Sequence, residues 1–233
     1  MTSATAEAIR TIKTWDWGVR LFHWLLVAAI AVAFLSSEEG SVLSPWHVPA
    51  GWVAAILIAF RLVWGFVGGE HARFVNLIRP SRMAGHVRGL FAGRVHASLG
   101  HNPLGGITVL VLLALVAATA FTGITGGEYG HETIAYILLA MIALHVVAVV
   151  AMSFLTRDNL IGAMITGRKK TTHFPKAQDA APPVRVAVPL AVLVVAGSAY
   201  AATRVDPQAF VPGAHGEAGE GREGGEASEA DED

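Results

Sequence analysis

Apolar positions along this chain gather into five long runs, residues 19–37, 46–68, 104–125, about 131–155 and 184–203, separated by polar connections. Each run is close to the roughly 20 apolar residues that cross a hydrocarbon core of about 30 Å. The pattern predicts five membrane-spanning helices with no obvious internal repeat. The first run begins late, contains His23 and Trp24, and ends in Ser-Ser-Glu-Glu. It is expected to remain as a span and not to act as a cleaved signal sequence.

Composition points to the same solvent. With 53% hydrophobic and 15% charged residues, and a mean hydropathy of +0.51, the chain is too apolar for an ordinary soluble domain of 233 residues. It contains no cysteine. That excludes disulfides, thiolate metal sites, iron–sulfur ligation and covalent haem attachment through C-x-x-C-H, and leaves histidine as the main metal-ligand type. Nothing points to a nucleic-acid partner.

The net charge of −1 hides an uneven distribution. Arg10, Lys13 and Arg20 lie at the start, Arg73, Arg79, Arg82, Arg88 and Arg94 between the second and third runs, and Arg157, Arg168, Lys169, Lys170 and Lys176 after the fourth. The two alternate connections, "SSEEGSVLSP" and "GGEYG", have no Lys or Arg. Basic loops stay in the cytoplasm, so the N-terminus is expected inside and the C-terminus on the opposite face. The expected organisation is a cytoplasmic N-terminal segment (1–18), a four-helix unit (19–170), a cytoplasmic linker (171–183), a fifth span (184–203) and an acidic tail (204–233). The tail, rich in Gly and Glu, is expected to be disordered.

Within the fourth run the strongly polar residues are His131, Glu132 and His145. Fourteen helical steps are a rise of about 21 Å and return to within about 40° of the starting direction. The two imidazoles therefore face the same neighbours, one near each membrane surface. His23, on the first run, lies at the depth of His145, and His47, at the start of the second, at the depth of His131. Two facing pairs result, His23 with His145 and His47 with His131. A single histidine near a span end is ordinarily interfacial or hydrogen-bonded, and a proton relay would not need facing pairs at two depths. A bare zinc or copper ion would want three or four ligands. Two imidazoles per level suit a haem iron, whose flat apolar macrocycle fits between helices.

The blocks "WDWGVRLFHW" (15–24), "FRLVWGFVGGEHARF" (60–74), "GHNPLGG" (100–106), the His131 and His145 pair, and "RDNLIGAMITGRKK" (157–170) occur in order over roughly residues 13–170. In them the chain resembles the bacterial cytochrome b561 group, including the b-type cytochrome subunits of nickel–iron hydrogenases. The resemblance implies an all-α bundle in the bacterial inner membrane, four of whose helices bind two b haems. The fourth helix would give one ligand to each, His23 completing the cytoplasmic-side site and His47 the outer one. The fifth span and the tail lie outside the shared blocks.

Other residues carry two readings each. Arg61, fourteen positions after His47, sits at the inner level; a haem propionate or a quinone carbonyl would satisfy it, and so would snorkelling to the interface. Arg20 has the same ambiguity nearer the edge. His101 and Asn102, with Arg157, Asp158 and Asn159, form a candidate quinone pocket by the inner haem, while Asn102 is also placed to cap the third helix beside Pro103. His71, His86, His96, His173 and His215 fall in loops or the tail and are not expected as ligands. Trp15, Trp17, Trp24, Trp46 and Trp64 lie near span ends, where an interfacial aromatic belt is the ordinary expectation.

The sequence thus predicts a di-haem membrane cytochrome passing electrons between a quinone pool and a periplasmic redox partner, with quinone oxidoreduction as its possible enzymatic activity. The acidic tail suits a basic c-type cytochrome, or is simply solvated. The alternatives are a haem-containing anchor for a hydrogenase or dehydrogenase, and a haem-free histidine-based proton or metal transporter.

Overall fold

The computed structural model describes residues 10–38, 40–77 and 97–215. The loop arginines 79, 82, 88 and 94, His86, His96 and the acidic stretch 216–233 lie outside the described residues. Helices are α1 (Trp17–Leu35), α2 (His47–Val67), α3 (Phe74–Leu77), α4 (Pro103–Ile124), α5 (Glu128–Thr156), α6 (Leu160–Thr166) and α7 (Ala187–Val205). Of these, α1, α2, α4, α5 and α7 are long and apolar enough to cross a membrane, and each overlaps one predicted span.

Local chemistry sets the helix ends. Asp16 caps α1 by accepting from the Val19 amide at 3.0 Å, and Asn102 caps α4 by accepting from Gly105 at 2.6 Å, with Pro103 in the first turn. A 3₁₀ turn, Ser44–Trp46, leads into α2. The tight connection from α4 to α5 passes through Gly126 at φ +73°, a conformation that costs an L side chain energy and glycine little.

Around α2 pack α1, α4 and α7, while α5 lies along α4. The central layer takes Ala29 from α1, Ala54 and Ile58 from α2, Val116 from α4 and Leu138 from α5, so four helices share one core. Lipid offers no hydrophobic drive for this association, and small residues that let backbones approach carry it instead. Ala187, Ala191 and Ala202 are the buried positions of α7.

One end is tied by a two-stranded antiparallel sheet, β1 (Thr11–Lys13) with β2 (Arg168–Lys170), in which Ile12 faces Lys169. We call this the sheet end. The predicted linker is a strap bound to that end: Asp179 Oδ1 accepts from the Lys13 amide at 2.7 Å, the Glu70 amide donates to the Ala181 carbonyl at 3.0 Å, and the Val184 amide donates to Val67 at 3.0 Å. At the far end, residues 206–215, assigned by composition to the tail, form turns folded back on α2. Trp52 Nε1 donates to Asp206 at 3.0 Å, and the Gly213 amide donates to the Pro45 carbonyl at 3.0 Å.

Two of the tryptophans depart from the expected interfacial belt. Trp15 and Trp64 are buried in the sheet-end core: Trp15 packs edge-on against His71 and His101, and the Trp64 indole N–H donates to Asp16 at 2.9 Å where Gly18 leaves space for its ring. Trp17, Trp24 and Trp46 are exposed.

Candidate functional site

At the far end, His47 opens α2 and His131 lies in the first turn of α5, with ring centroids 5.9 Å apart and planes at 80°. His47 Nδ1 bonds the Ala33 carbonyl at 2.9 Å, and His131 Nδ1 bonds the Thr119 carbonyl at 2.9 Å. A carbonyl can only accept, so both Nδ1 atoms carry a proton, and it is Nε2 that is left to offer a lone pair to a metal. Metal-bound histidines are ordinarily oriented in this way. Two imidazoles sharing one metal at about 2 Å each would stand with ring centres about 6 Å apart.

The sequence makes both carbonyls reachable. Ala33 belongs to the last turn of α1, where carbonyls lack intrahelical partners. Gly123 leaves room next to Thr119: a β-carbon there would stand 3.0 Å from His131 Nδ1. One turn along α2 from His47, a β-carbon on Gly51 would meet nothing within 4 Å. Open space therefore adjoins this helix face next to the pair.

At the sheet end His23 of α1 lies within electrostatic range of His145 of α5, and His23 Nδ1 is buried without a partner. Between the elements of this end lies Arg61, only 2% exposed. Its Nη2 donates to the Ala72 carbonyl at 2.9 Å and its Nη1 has no partner. The guanidinium carbon is 4.8 Å from the Phe74 ring centre and 6.0 Å from that of Phe22. Asp16 does not pair with it directly: its oxygens accept from Val19, Trp64 and Gly69.

His101 lies 4.8 Å from the Trp15 ring, centre to centre, and its Nδ1 is likewise buried and unpartnered. Burial, with Arg61 the strongest of the charges acting on it, pushes the His101 imidazole down to about 3, so it is neutral.

The remaining candidate residues have structural partners. Asn102 caps α4, and Asn159 caps α6 by accepting from Gly162 at 2.6 Å. Asp158 pairs with Lys169 at 2.9 Å, and the same ammonium donates to the Ser98 carbonyl at 3.0 Å. Arg157 ends α5 at φ 52° with an exposed side chain. Arg20 donates to the Met164 carbonyl at 3.2 Å and to that of Ile165, closing the end of α6. Lys169 was hidden to sequence reading in a run that looked like a solvated basic loop. A three-residue strand is too short to announce which lysine turns inward.

Among the described residues no group of three or more His, Cys, Asp or Glu could hold a metal ion. Paired imidazoles in a bundle of apolar helices, with open space beside the far pair, fit a flat macrocycle that brings its own equatorial ligands. The fold is that of a multi-pass, all-α membrane protein. The chain belongs to the prokaryotic cytochrome b561 family, which it matches over residues 14–167. It is therefore a b-type cytochrome of electron transport, and haem b is the group that family implies. A probable Ni/Fe-hydrogenase B-type cytochrome subunit from Azotobacter chroococcum mcd 1 is 32% identical over an alignment covering 39% of this chain and 48% of that protein. The chain thus spans about half the length of that curated relative. No solved structure matches.

Proposed function

We propose that this chain carries electrons across the cytoplasmic membrane between a quinone pool and a redox partner on the periplasmic face, through two b haems. His47 and His131 hold one, and His23 and His145 the other. The observation that carries the reading is the far-end pair, in which both imidazoles are fixed through Nδ1 with Nε2 free. When bound, haem b supplies reversible one-electron chemistry. His47 and His131 would hold their haem as imidazoles oriented by the Ala33 and Thr119 carbonyls, apolar helices would surround both groups, and with two imidazoles for each haem oxygen binding is not expected. The sheet end is cytoplasmic on the distribution of Lys and Arg.

A quinone would bind beside the inner pair, near His101, Asn102, Arg157, Asp158 and Asn159. The Lys169 ammonium, which bridges Asp158 and the Ser98 carbonyl there, supports that position. The acidic stretch beyond residue 215 would attract a basic c-type cytochrome, more strongly at low salt. The name of the Azotobacter relative supports a second reading, an anchor subunit for a hydrogenase. Copurification of a large redox subunit would favour that reading.

The test is a reduced-minus-oxidised spectrum of detergent-purified protein with a pyridine haemochrome ratio. Two low-spin b haems per chain are expected, and replacing either histidine of a pair by alanine removes one of them. A colourless protein made with ample haem would overturn the reading and favour a transporter.

A further inference from the structure

We propose that Arg61 and His101 together bind a propionate of the haem held at the level of His23 and His145. The proposal rests on the di-haem reading and adds to it an anion site. Among the described residues, the buried side-chain nitrogens and oxygens without a partner belong to Thr14, His23, Arg61 and His101. All of them are at the sheet end, where a polar ligand is wanting.

Charge identifies that ligand. Arg61 is an always-ionised guanidinium, and burying it is costly without a compensating anion. Among the described residues no carboxylate is ion-paired with it. Asp16 acts on the guanidinium only at a distance, its oxygens being taken by Val19, Trp64 and Gly69. A quinone carbonyl would satisfy the free N–H and add no charge, whereas a carboxylate satisfies the N–H and brings the charge as well. Position points the same way. The guanidinium carbon is 6.0 Å from the ring centre of Phe22, the residue before His23, and its partner Ala72 shares one core cluster with Phe22 and with Trp15, whose ring lies 4.8 Å from that of His101. The two unpartnered nitrogens therefore share one neighbourhood beside the inner pair. Arg61 supplies charge and one N–H, and His101, with its proton on the buried, unpartnered Nδ1, a second N–H. Phe22 and Phe74 beside the guanidinium restrict the directions from which an acceptor can approach.

The experiment is a potentiometric titration of both haems in quinone-stripped, detergent-purified full-length protein. Wild type is compared with Arg61→Gln, Arg61→Lys and His101→Leu, and His23→Ala identifies the inner component. Unmasking a propionate charge favours the ferric state. Arg61→Gln should change the one-electron equilibrium of the inner haem about tenfold, or about 59 mV downward, or release that haem alone. Arg61→Lys should retain most of the wild-type value, and His101→Leu should shift it less than Arg61→Gln in the same direction. The outer haem should not move in any of them. Two retained haems with unchanged potentials in Arg61→Gln would overturn the proposal, as would a shift that appears only when quinone is added back. If Arg61→Gln does not fold, the His101→Leu titration decides by the same criterion. A wild-type chain lacking the inner haem would instead overturn the reading beneath it.

Discussion

Gly123 and His131 are matched across the turn between α4 and α5: a β-carbon at 123 would lie 3.0 Å from the imidazole Nδ1 that bonds Thr119. The glycine sets how closely the ring can approach its carbonyl. Gly123→Ala should displace the ring by a few tenths of an ångström and lower the occupancy of one haem, and Gly123→Val should abolish it. The haem-to-protein ratio checks this, and the other haem should be retained.

Asp158 and Lys169 form an ion pair whose side chains are 12% and 2% exposed. Asp158→Asn leaves a buried ammonium without its anion and should destabilise by about 3 kcal/mol or more. The double change Asp158→Asn with Lys169→Met should recover much of that loss. Thermal melting in detergent, followed by circular dichroism, measures both.

Trp64 is fully buried and anchors Asp16 through its indole N–H. Trp64→Phe should cost about 1.5–3 kcal/mol, the range for a hydrogen bond to a charged group. A β-carbon on Gly18 would approach the Trp64 ring to 2.3 Å, so Gly18→Ala should cost about 1–3 kcal/mol through overpacking. The two changes act on one contact, and their effects in the same melting assay should not be additive.

Arg157 holds a left-handed conformation at φ 52° that glycine adopts freely. Arg157→Gly should raise stability by up to about 1 kcal/mol. Quinone turnover in the same variant separates the helix end from the pocket: a loss of turnover with raised stability assigns the guanidinium to the pocket.

All five spans were legible in the sequence because lipid demands long apolar helices, and length and hydropathy suffice to find them. The depth match of His47 with His131 was legible too, from helical rise alone. The carbonyls of Ala33 and Thr119 were not, because every residue has one, and only tertiary placement decides which of them an imidazole reaches. The buried positions of Trp15 and Trp64 were misread for a related reason: tryptophan near a span end suits an interface and a core equally well. The hydrogen bond to Asp16 and the space at Gly18 decide for Trp64, and the packing on His71 and His101 for Trp15. The basic residues 168–170 conceal their inward member because the sheet that turns Lys169 has its other strand at residues 11–13.

That last separation has a consequence for synthesis. β1 leaves the ribosome before α1, yet its partner strand is made only after α1, α2, α4 and α5. At about 5–20 residues per second, the N-terminal strand waits roughly 8 to 30 s for its mate. Through that interval the four helices enter the bilayer with the sheet end unlaced, and the lacing of β1 to β2 follows the arrival of the helix that carries His131 and His145.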